Sequence, residues 1–391
     1  MIALPENSQT GKRMALTPAQ VNYLRGSGLV DVRPSGRDFV VTPKSKRVGA
    51  VHAYGLDIVV TPKVTIPRLL FMLGYAQNPG FLPENVEGVQ ADGLWAIVAE
   101  SLCRNVEHAL SRGVLSGYAT EHSSSTVIRG RIRVGDQISR RPGRMMPVEI
   151  THDEFTTDTP ENRLLRAAVS RMLSVPRVDP GIQGRLRHLL SRLGGVSPLA
   201  HGAPLPRWRP TRINTRYHPA LRIADLVLNT LSFEVGDDGL AIASFVVNME
   251  KVFEDFLTTA LTEAWSTSPG RTRPQYPAKL DGSGVISMNI DVVHVVDGKP
   301  QFIVDAKYKL ESKKGRYPNE DMYQVISYCT ALGVERAWLV YSGDTAKATR
   351  HRILNSPITV ITYALDLDVA PTELIAQIGH LADSITASAM S

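Results

Sequence analysis

The alternation of apolar and polar positions is most informative over residues 286–309, where two β-branched runs flank Asp297-Gly298-Lys299-Pro300. Val292, Val293, Val295 and Val296 precede this turn signal, and Phe302, Ile303 and Val304 follow it. The pattern is strand-turn-strand. Both runs are almost continuously apolar, which predicts strands covered on both faces, inside a sheet. Upstream, residues 245–265 read as a helix whose buried face holds Phe245, Met249, Val252, Phe253, Phe256, Leu257 and Leu261. Downstream come a helix over 319–332 and strands over 337–341 and 358–365. This order predicts a mixed sheet flanked by helices across 236–391.

The earlier chain divides by its periodicity. Residues 1–62 hold strand-like pieces at 38–41, 48–52 and 56–61, punctuated by Gly and Pro. Ile66-Pro67 then opens a helical pattern with Leu69, Leu70, Met72, Leu73 and Ala76. Met72 and Tyr75 read as core. A second helix is expected over 91–112, completing a β-rich N-terminal domain, 1–112. Residues 113–235 read as mostly helical: a loop at 122–126, a short half-exposed strand where Arg129, Arg131 and Arg133 alternate with apolar residues, then a loop from Thr151 into a helix. Asp158 or Thr159 would cap that helix and Pro160 suits its first turn; helices near 181–193 and 219–231 follow. Asp153, Glu154 and Asp158 read as capping and solvated loop rather than a second metal site. The fold class is therefore α+β and multi-domain.

Composition narrows this picture slightly. The chain has 391 residues, 43% of them hydrophobic, and a mean hydropathy of -0.08, ordinary for a globular protein. No apolar run reaches transmembrane length and the N-terminus has no signal-peptide pattern, so a cytoplasmic protein with no membrane partner is expected. Cys103 and Cys329 stand far apart without metal spacing and read as buried thiols. The net charge of +6 permits an anionic partner without demanding one. Arg207, Arg209, Arg212 and Arg216 surround Trp208, a composition that suits nucleic-acid contact and an interdomain linker equally well. No G-x-x-x-x-G-K-[ST] loop occurs, so this chain is expected to bind no nucleotide itself.

The charges inside the apolar hairpin carry the chemistry. Asp291 lies in the first strand; Asp305 and Lys307 end the second. Burying any of them unpaired is costly, so they are expected to serve one another or a cation. A two-residue turn at Gly298-Lys299 would pair Asp291 with Ala306 and put the aspartates on opposite faces. A register shifted by one, or a β-bulge, would bring Asp291 across from Asp305 or Lys307, and that shifted register is the expectation. Two carboxylates beside an ammonium suit a hard divalent cation, Mg2+ with Mn2+ as the alternative, for phosphodiester hydrolysis. The plainer alternative is a hairpin whose charges face solvent at a sheet edge. Glu254, between Phe253 and Phe256, belongs either to this site or to a nearby Lys or Arg. Gln324 belongs either to the site or to an exposed helix face.

Several segments together resemble the McrC family, the nuclease subunits of McrBC-type modified-cytosine restriction systems: TPKVTIPRLLFMLGYA, DEFTTDTPENRLLRAA, RINTRYHPALRIADLVL, NMEKVFEDFL and IDVV...IVDAKYK...DMYQVISY. The last carries a pattern similar to PD-(D/E)xK nucleases, with Asp291, Asp305-Ala306-Lys307, Glu254 and Gln324; the proline usual before the first aspartate is Ile290 here. The resemblance implies a Mg2+-dependent DNA endonuclease subunit that works with, and stimulates, an McrB-like AAA+ GTPase hexamer. The metal would be held by Asp291, Asp305 and Glu254, with Lys307 positioning water and Gln324 steadying the site. It also implies that the N-terminal domain engages the ring and that no small-molecule substrate is involved. The rivals are a catalytically inactive adaptor that activates the ring and a stand-alone nuclease on RNA or branched DNA.

Overall fold

The computed structural model describes residues 1–77, 79, 94–176, 178–200, 202–235, 241–308, 319–343 and 348–389. The chain begins β1 (Ile2–Pro5), β2 (Lys12–Met14), α1 (Pro18–Gly26), β3 (Val30–Ser35), β4 (Asp38–Pro43), β5 (Arg47–Ala53), β6 (Leu56–Thr61) and α2 (Ile66–Gln77). The pattern of the sequence reveals the last three strands and α2 but not α1. That helix is built on Thr17-Pro18-Ala19-Gln20: Thr17 Oγ1 accepts from the Gln20 amide, Gln20 Oε1 accepts from the Thr17 amide, and Pro18 opens the first turn. This reciprocal cap satisfies donors that a helix start otherwise leaves unpaired.

The middle of the chain contains α3 (Leu94–Leu110), β7 (Gly117–Ser125), β8 (Arg131–Ile132), α4 (Val134–Arg140), β9 (Val148–Thr156), α5 (Pro160–Leu173), α6 (Pro180–Arg192) and α7 (His218–Thr230). Of the helix expected over 91–112, residues 91–93 lie outside the described residues. Residues 122–125 and 151–156, expected as loops, are strands: β7 pairs with β9 from Gly117–Thr156 to Ser125–Val148. The serines and charges of these segments obscured their period, and cross-strand pairing overrides their low propensity. Thr159 is the N-cap of α5, its side chain accepting from the Asn162 amide. Asp158 instead pairs with Arg163 and accepts from Ser197 Oγ at 2.7 Å, and Asp153 accepts from Thr120 Oγ1 at 2.8 Å.

The last part runs β10 (Leu231–Val235), β11 (Ala241–Asn248), α8 (Met249–Ala264), β12 (Arg271–Lys279), β13 (Ser287–Val296), β14 (Lys299–Lys307), α9 (Asn319–Leu332), β15 (Arg336–Ser342), β16 (Ala348–Arg352), β17 (Thr359–Leu365) and α10 (Pro371–Ala389). Phe245 lies in β11, so α8 is shorter than the expected helix; Asn248 ends the strand and caps α8 by accepting from the Glu250 amide. β12 was not legible because Pro274 and Pro277 interrupt it. It is an edge strand, where a missing amide donor is tolerated.

The architecture is mixed α+β with several sheets. A five-stranded sheet runs β1-β6-β5-β11-β10 and a six-stranded sheet β12-β13-β14-β15-β17-β16. In the second, β14, β15 and β17 are parallel while the hairpin and β16 are antiparallel. One compact unit joins residues 1–97 with 230–391, and another comprises 98–229. The sequence pattern predicts separate N-terminal (1–112) and C-terminal (236–391) domains. They share a unit because β11 completes the N-terminal sheet against β5. Within that unit, Ile303, Leu339 and Val360 of the six-stranded sheet pack with Val325 and Cys329 of α9, while Trp265 after α8 packs on Phe302. Cys103 and Cys329 are free and buried, and burial pushes both thiols up to about 12.

The β5–β11 junction depends on Gly49. Its φ is +139°, and a Cβ there would lie 1.8 Å from the Phe245 carbonyl oxygen. Gly49→Ala is expected to destabilise the protein by at least about 2 kcal/mol through backbone strain and steric conflict. An unchanged urea midpoint would show that the two strands can pair without glycine.

Candidate functional site

The hairpin determines where the charged residues meet. Asp297 and Gly298 both have positive φ, 50° and 77°, so the turn is the twist-compatible Asp-Gly type, one residue earlier than the Gly298-Lys299 turn expected from the sequence. Alone, it would set Asp291 opposite Val304. The register shifts between His294 and Val295, which face Phe302 and Pro300 and leave Gln301 as the extra residue. Beyond this bulge Val292 pairs with Val304, and the same register carries Asp291 to the position opposite Asp305.

At that point the ladder ends. The Asp291 Oδ2 accepts the Ala306 amide at 2.9 Å, so a side-chain carboxylate takes a donor that a main-chain carbonyl would otherwise use. Asp305 is fully buried and lies on the α9-facing side of β14 with Ile303. Its Oδ2 sits 2.7 Å from Lys307 Nζ. Its Oδ1 meets no hydrogen-bond donor among the described residues. Burial and the charge of Asp291 push the Asp305 carboxyl well above its ordinary value. Burial likewise raises Asp291, against the Ala306 amide and Lys307. Desolvation opposes the Lys307 ammonium, but Asp305, Asp291 and Asp321 outweigh it and hold its pKa above that of an ordinary lysine.

Glu254 approaches Asp291 from α8. Burial first, and the Asp291 charge second, push it up to about 7. Lys251 is 4.0 Å away, a loose ion pair that does not neutralise it. Gln275 of β12, absent from the sequence reading, links these groups: it donates to Glu254 Oε1 at 2.5 Å and also hydrogen-bonds Asp291. Gln275 has φ +47° and interrupts the β12–β13 ladder between Pro274–Val292 and Tyr276–Ile290. The flanking prolines were the readable sign of a broken edge strand. Gln324 is exposed; its Nε2 donates to Tyr328 Oη, which donates to the Asn289 carbonyl at 3.2 Å. Tyr328 feels the charges of Asp305, Lys307 and Asp291, so Gln324 stands one side chain removed from them. Buried Asp321, also unforeseen, contributes charge to both Asp305 and Lys307.

The expected arginine site in the other unit is assembled differently. Trp208 Nε1 donates to Asp225 at 2.9 Å and its ring packs on His218, so its indole is committed to the fold. Arg216 donates to the Gly113 carbonyl and lies over the Tyr217 ring. Arg207, Arg209 and Arg212 remain exposed.

The orphaned Asp305 oxygen tests whether a cation fits. A buried carboxylate with one oxygen undonated stands opposite Asp291, whose charge in turn crowds Glu254; this oxygen-rich set, short of positive charge, is one that a hard divalent ion would satisfy.

Residues 44–342 match the family described as "McrBC 5-methylcytosine restriction system component". The chain is 22% identical over 330 residues to the type IV methyl-directed restriction enzyme EcoKMcrBC of Escherichia coli K12, covering 78% of this chain and 93% of the relative. Its fold is similar to a chain in the assembly of Thermococcus gammatolerans McrB AAA+ hexamers with bound McrC, with a TM-score of 0.61, 15% identity, and 98% and 99% of the two chains covered. A T. gammatolerans McrBC complex structure aligns at a TM-score of 0.45 and 18% identity, covering 67% of this chain and 87% of that one.

The raised Glu254 pKa has a thermodynamic consequence. A carboxyl bound more tightly to its proton in the folded state favours folding most below its ordinary value of 4.5, and that contribution is lost as pH rises to about 7. In EDTA, Glu254→Gln is expected to match the parent near pH 4.5 and to be more stable by about 1–2 kcal/mol at pH 8, allowing for solvent screening of a half-buried group. A pH-independent difference in thermal unfolding would refute the crowded-carboxylate account.

Proposed function

The chain belongs to the family of McrBC 5-methylcytosine restriction system components, and from that premise we propose that it is a Mg2+-dependent DNA endonuclease subunit working with an AAA+ GTPase ring. The observation that carries the reading is the buried Asp305 carboxylate, across from Asp291, with one oxygen on Lys307 and the other without a donor. This arrangement supports reading the site as a PD-(D/E)xK nuclease centre. Asp291, Asp305 and Glu254 would hold the cation, Mg2+ with Mn2+ as a substitute. When bound, it supplies Lewis-acid polarisation of the phosphodiester and lowers the pKa of a water.

The protein's own groups then have distinct tasks. Lys307, kept protonated by its acidic neighbours, orients the attacking water and offsets charge developing on the phosphate. The Ala306 amide fixes Asp291, and Gln275 holds Asp291 and Glu254 in mutual position. Tyr328, tied to Asn289, fixes α9 against the site, and Gln324, exposed and donating to Tyr328, would steady the site or the DNA.

The partner surface is proposed on β7, β9 and α4. More than half of the large apolar side chains exposed among the described residues fall between Tyr118 and Phe155, including Val127, Ile138 and Met145. Tyr118 and Phe155 pair across the strands with ring centroids 5.3 Å apart. Exposed apolar clusters of this kind mark interaction sites. In the N-terminal domain, expected from the resemblance to meet the ring, Met1 is the one large apolar side chain exposed among the described residues. The occupant is an AAA+ ring, because the fold is similar to that of a chain in an assembly of McrB hexamers with McrC.

One assay separates the two functions: cleavage of cytosine-methylated DNA with Mg2+, GTP and the AAA+ partner, alongside GTP hydrolysis. Asp305→Ala is expected to lower cleavage more than ~100-fold while leaving stimulation of GTP hydrolysis intact. Tyr118→Asp with Phe155→Asp is expected to lose stimulation while Mg2+ binding persists. Undiminished cutting by Asp305→Ala would refute the hydrolytic assignment.

A further inference from the structure

A second group of potential ligands lies in the unit comprising residues 98–229. Glu121 of β7 is directly opposite His152 of β9, and Glu154 follows two positions along the same face of β9. One ligand atom from each falls within 4.8 Å of the others. The two glutamates are exposed, but the His152 side chain is only 5% exposed. Neither of its ring nitrogens has a hydrogen-bond partner among the described residues. Nε2 is 4.0 Å from Glu154 Oε2, too far for a hydrogen bond and farther than a settled imidazolium–carboxylate contact.

A buried imidazole with both nitrogens unpaired is costly. Two glutamates beside it, with no lysine or arginine at ion-pair distance among the described residues, add negative charge rather than a donor. Gly130 packs tightly on β9 at this residue: a Cβ there would lie 2.9 Å from His152 Cβ and 2.2 Å from the Thr151 carbonyl oxygen. We infer that Glu121, His152 and Glu154 form a binding site for a borderline divalent metal of the Zn2+ class, bridging β7 and β9. One imidazole nitrogen and two carboxylate oxygens make a three-ligand set that leaves a position for water. Nitrogen ligation disfavours Mg2+ and Ca2+, which take oxygen. The exposed glutamates can close the small remaining distance to about 2 Å from a common ion. Tyr118 and Phe155 lie on the opposite face of the same strand pair, so the ion would brace the sheet that presents them.

The site is independent of the hydrolytic centre and can be tested without activity. Full-length protein carrying Asp291→Asn and Asp305→Asn, which weakens the other carboxylate cluster, is stripped with EDTA and titrated with Zn2+ by calorimetry. Co2+ serves as an optical probe of nitrogen–oxygen ligation. One equivalent of Zn2+ is expected to bind and to raise the unfolding temperature. Glu121→Gln and Glu154→Gln, both at exposed positions, should each weaken binding at least about tenfold, and together abolish it. Zn2+ binding of negligible stoichiometry, or binding undiminished in the double glutamine variant, would overturn the assignment.

Discussion

Burial of the Asp305 carboxylate is the constraint around which the larger unit is arranged. An ionised carboxylate removed from water costs several kcal/mol unless it gains partners. Lys307 supplies one partner to one oxygen, and Asp291 makes the balance worse by standing opposite. The fold does not relieve this crowding by turning the side chains outward. It enforces the crowding through the Gln301 bulge, the Asp297-Gly298 turn and the use of the Ala306 amide by Asp291. A local arrangement that is unfavourable by itself, yet specified by several separate features, is the form expected of a binding centre whose ligand restores the balance.

The same reasoning extends to the N-terminal segment. Glu254 can crowd Asp291 only if α8 is held in place, and α8 is held in part by residues from the beginning of the chain. Phe71 and Tyr75 of α2 form an aromatic group with Phe256. Lys46 Nζ pairs with Glu250 at 2.6 Å, and β11, which leads directly into α8, is anchored along β5 through Gly49. The first 77 residues therefore act on the candidate site through packing. Sequence separation gives little indication of this; the connecting strand does.

What could be read in advance follows from how local each signal is. The α5 cap, the α9 helix and the hairpin all announce themselves within about a dozen residues, and the structure contains them. The shifted register was legible for a different reason: the chemical demand that Asp291 and Asp305 meet excluded the simple hairpin, although no residue identifies the bulge at Gln301. Gln275 was missed because its role depends on a left-handed backbone in a proline-broken edge strand. β7 and β9 were misread because TEHSSS and THDEFT have polar side chains on both faces, so alternation vanishes. Phe245 was assigned to the helix because aromatic content suits both a strand and a helix face; only the Asn248 cap separates them.

Two clusters of acidic residues thus acquire opposite chemical character from their surroundings. Around Asp305 the donors are oxygens only, the burial is deep and an ammonium is built in, which favours a small, hard ion and leaves the protein to tune it by charge. Around His152 a nitrogen donor is buried while the carboxylates remain exposed, which favours a borderline ion held by the imidazole and the two glutamates. The acidic run Asp153, Glu154 and Asp158 could not reveal this division, because alternate positions on β9 send Asp153 to Thr120 on one face and Glu154 toward His152 on the other. Strand period, rather than charge density, decides which carboxylates can act together.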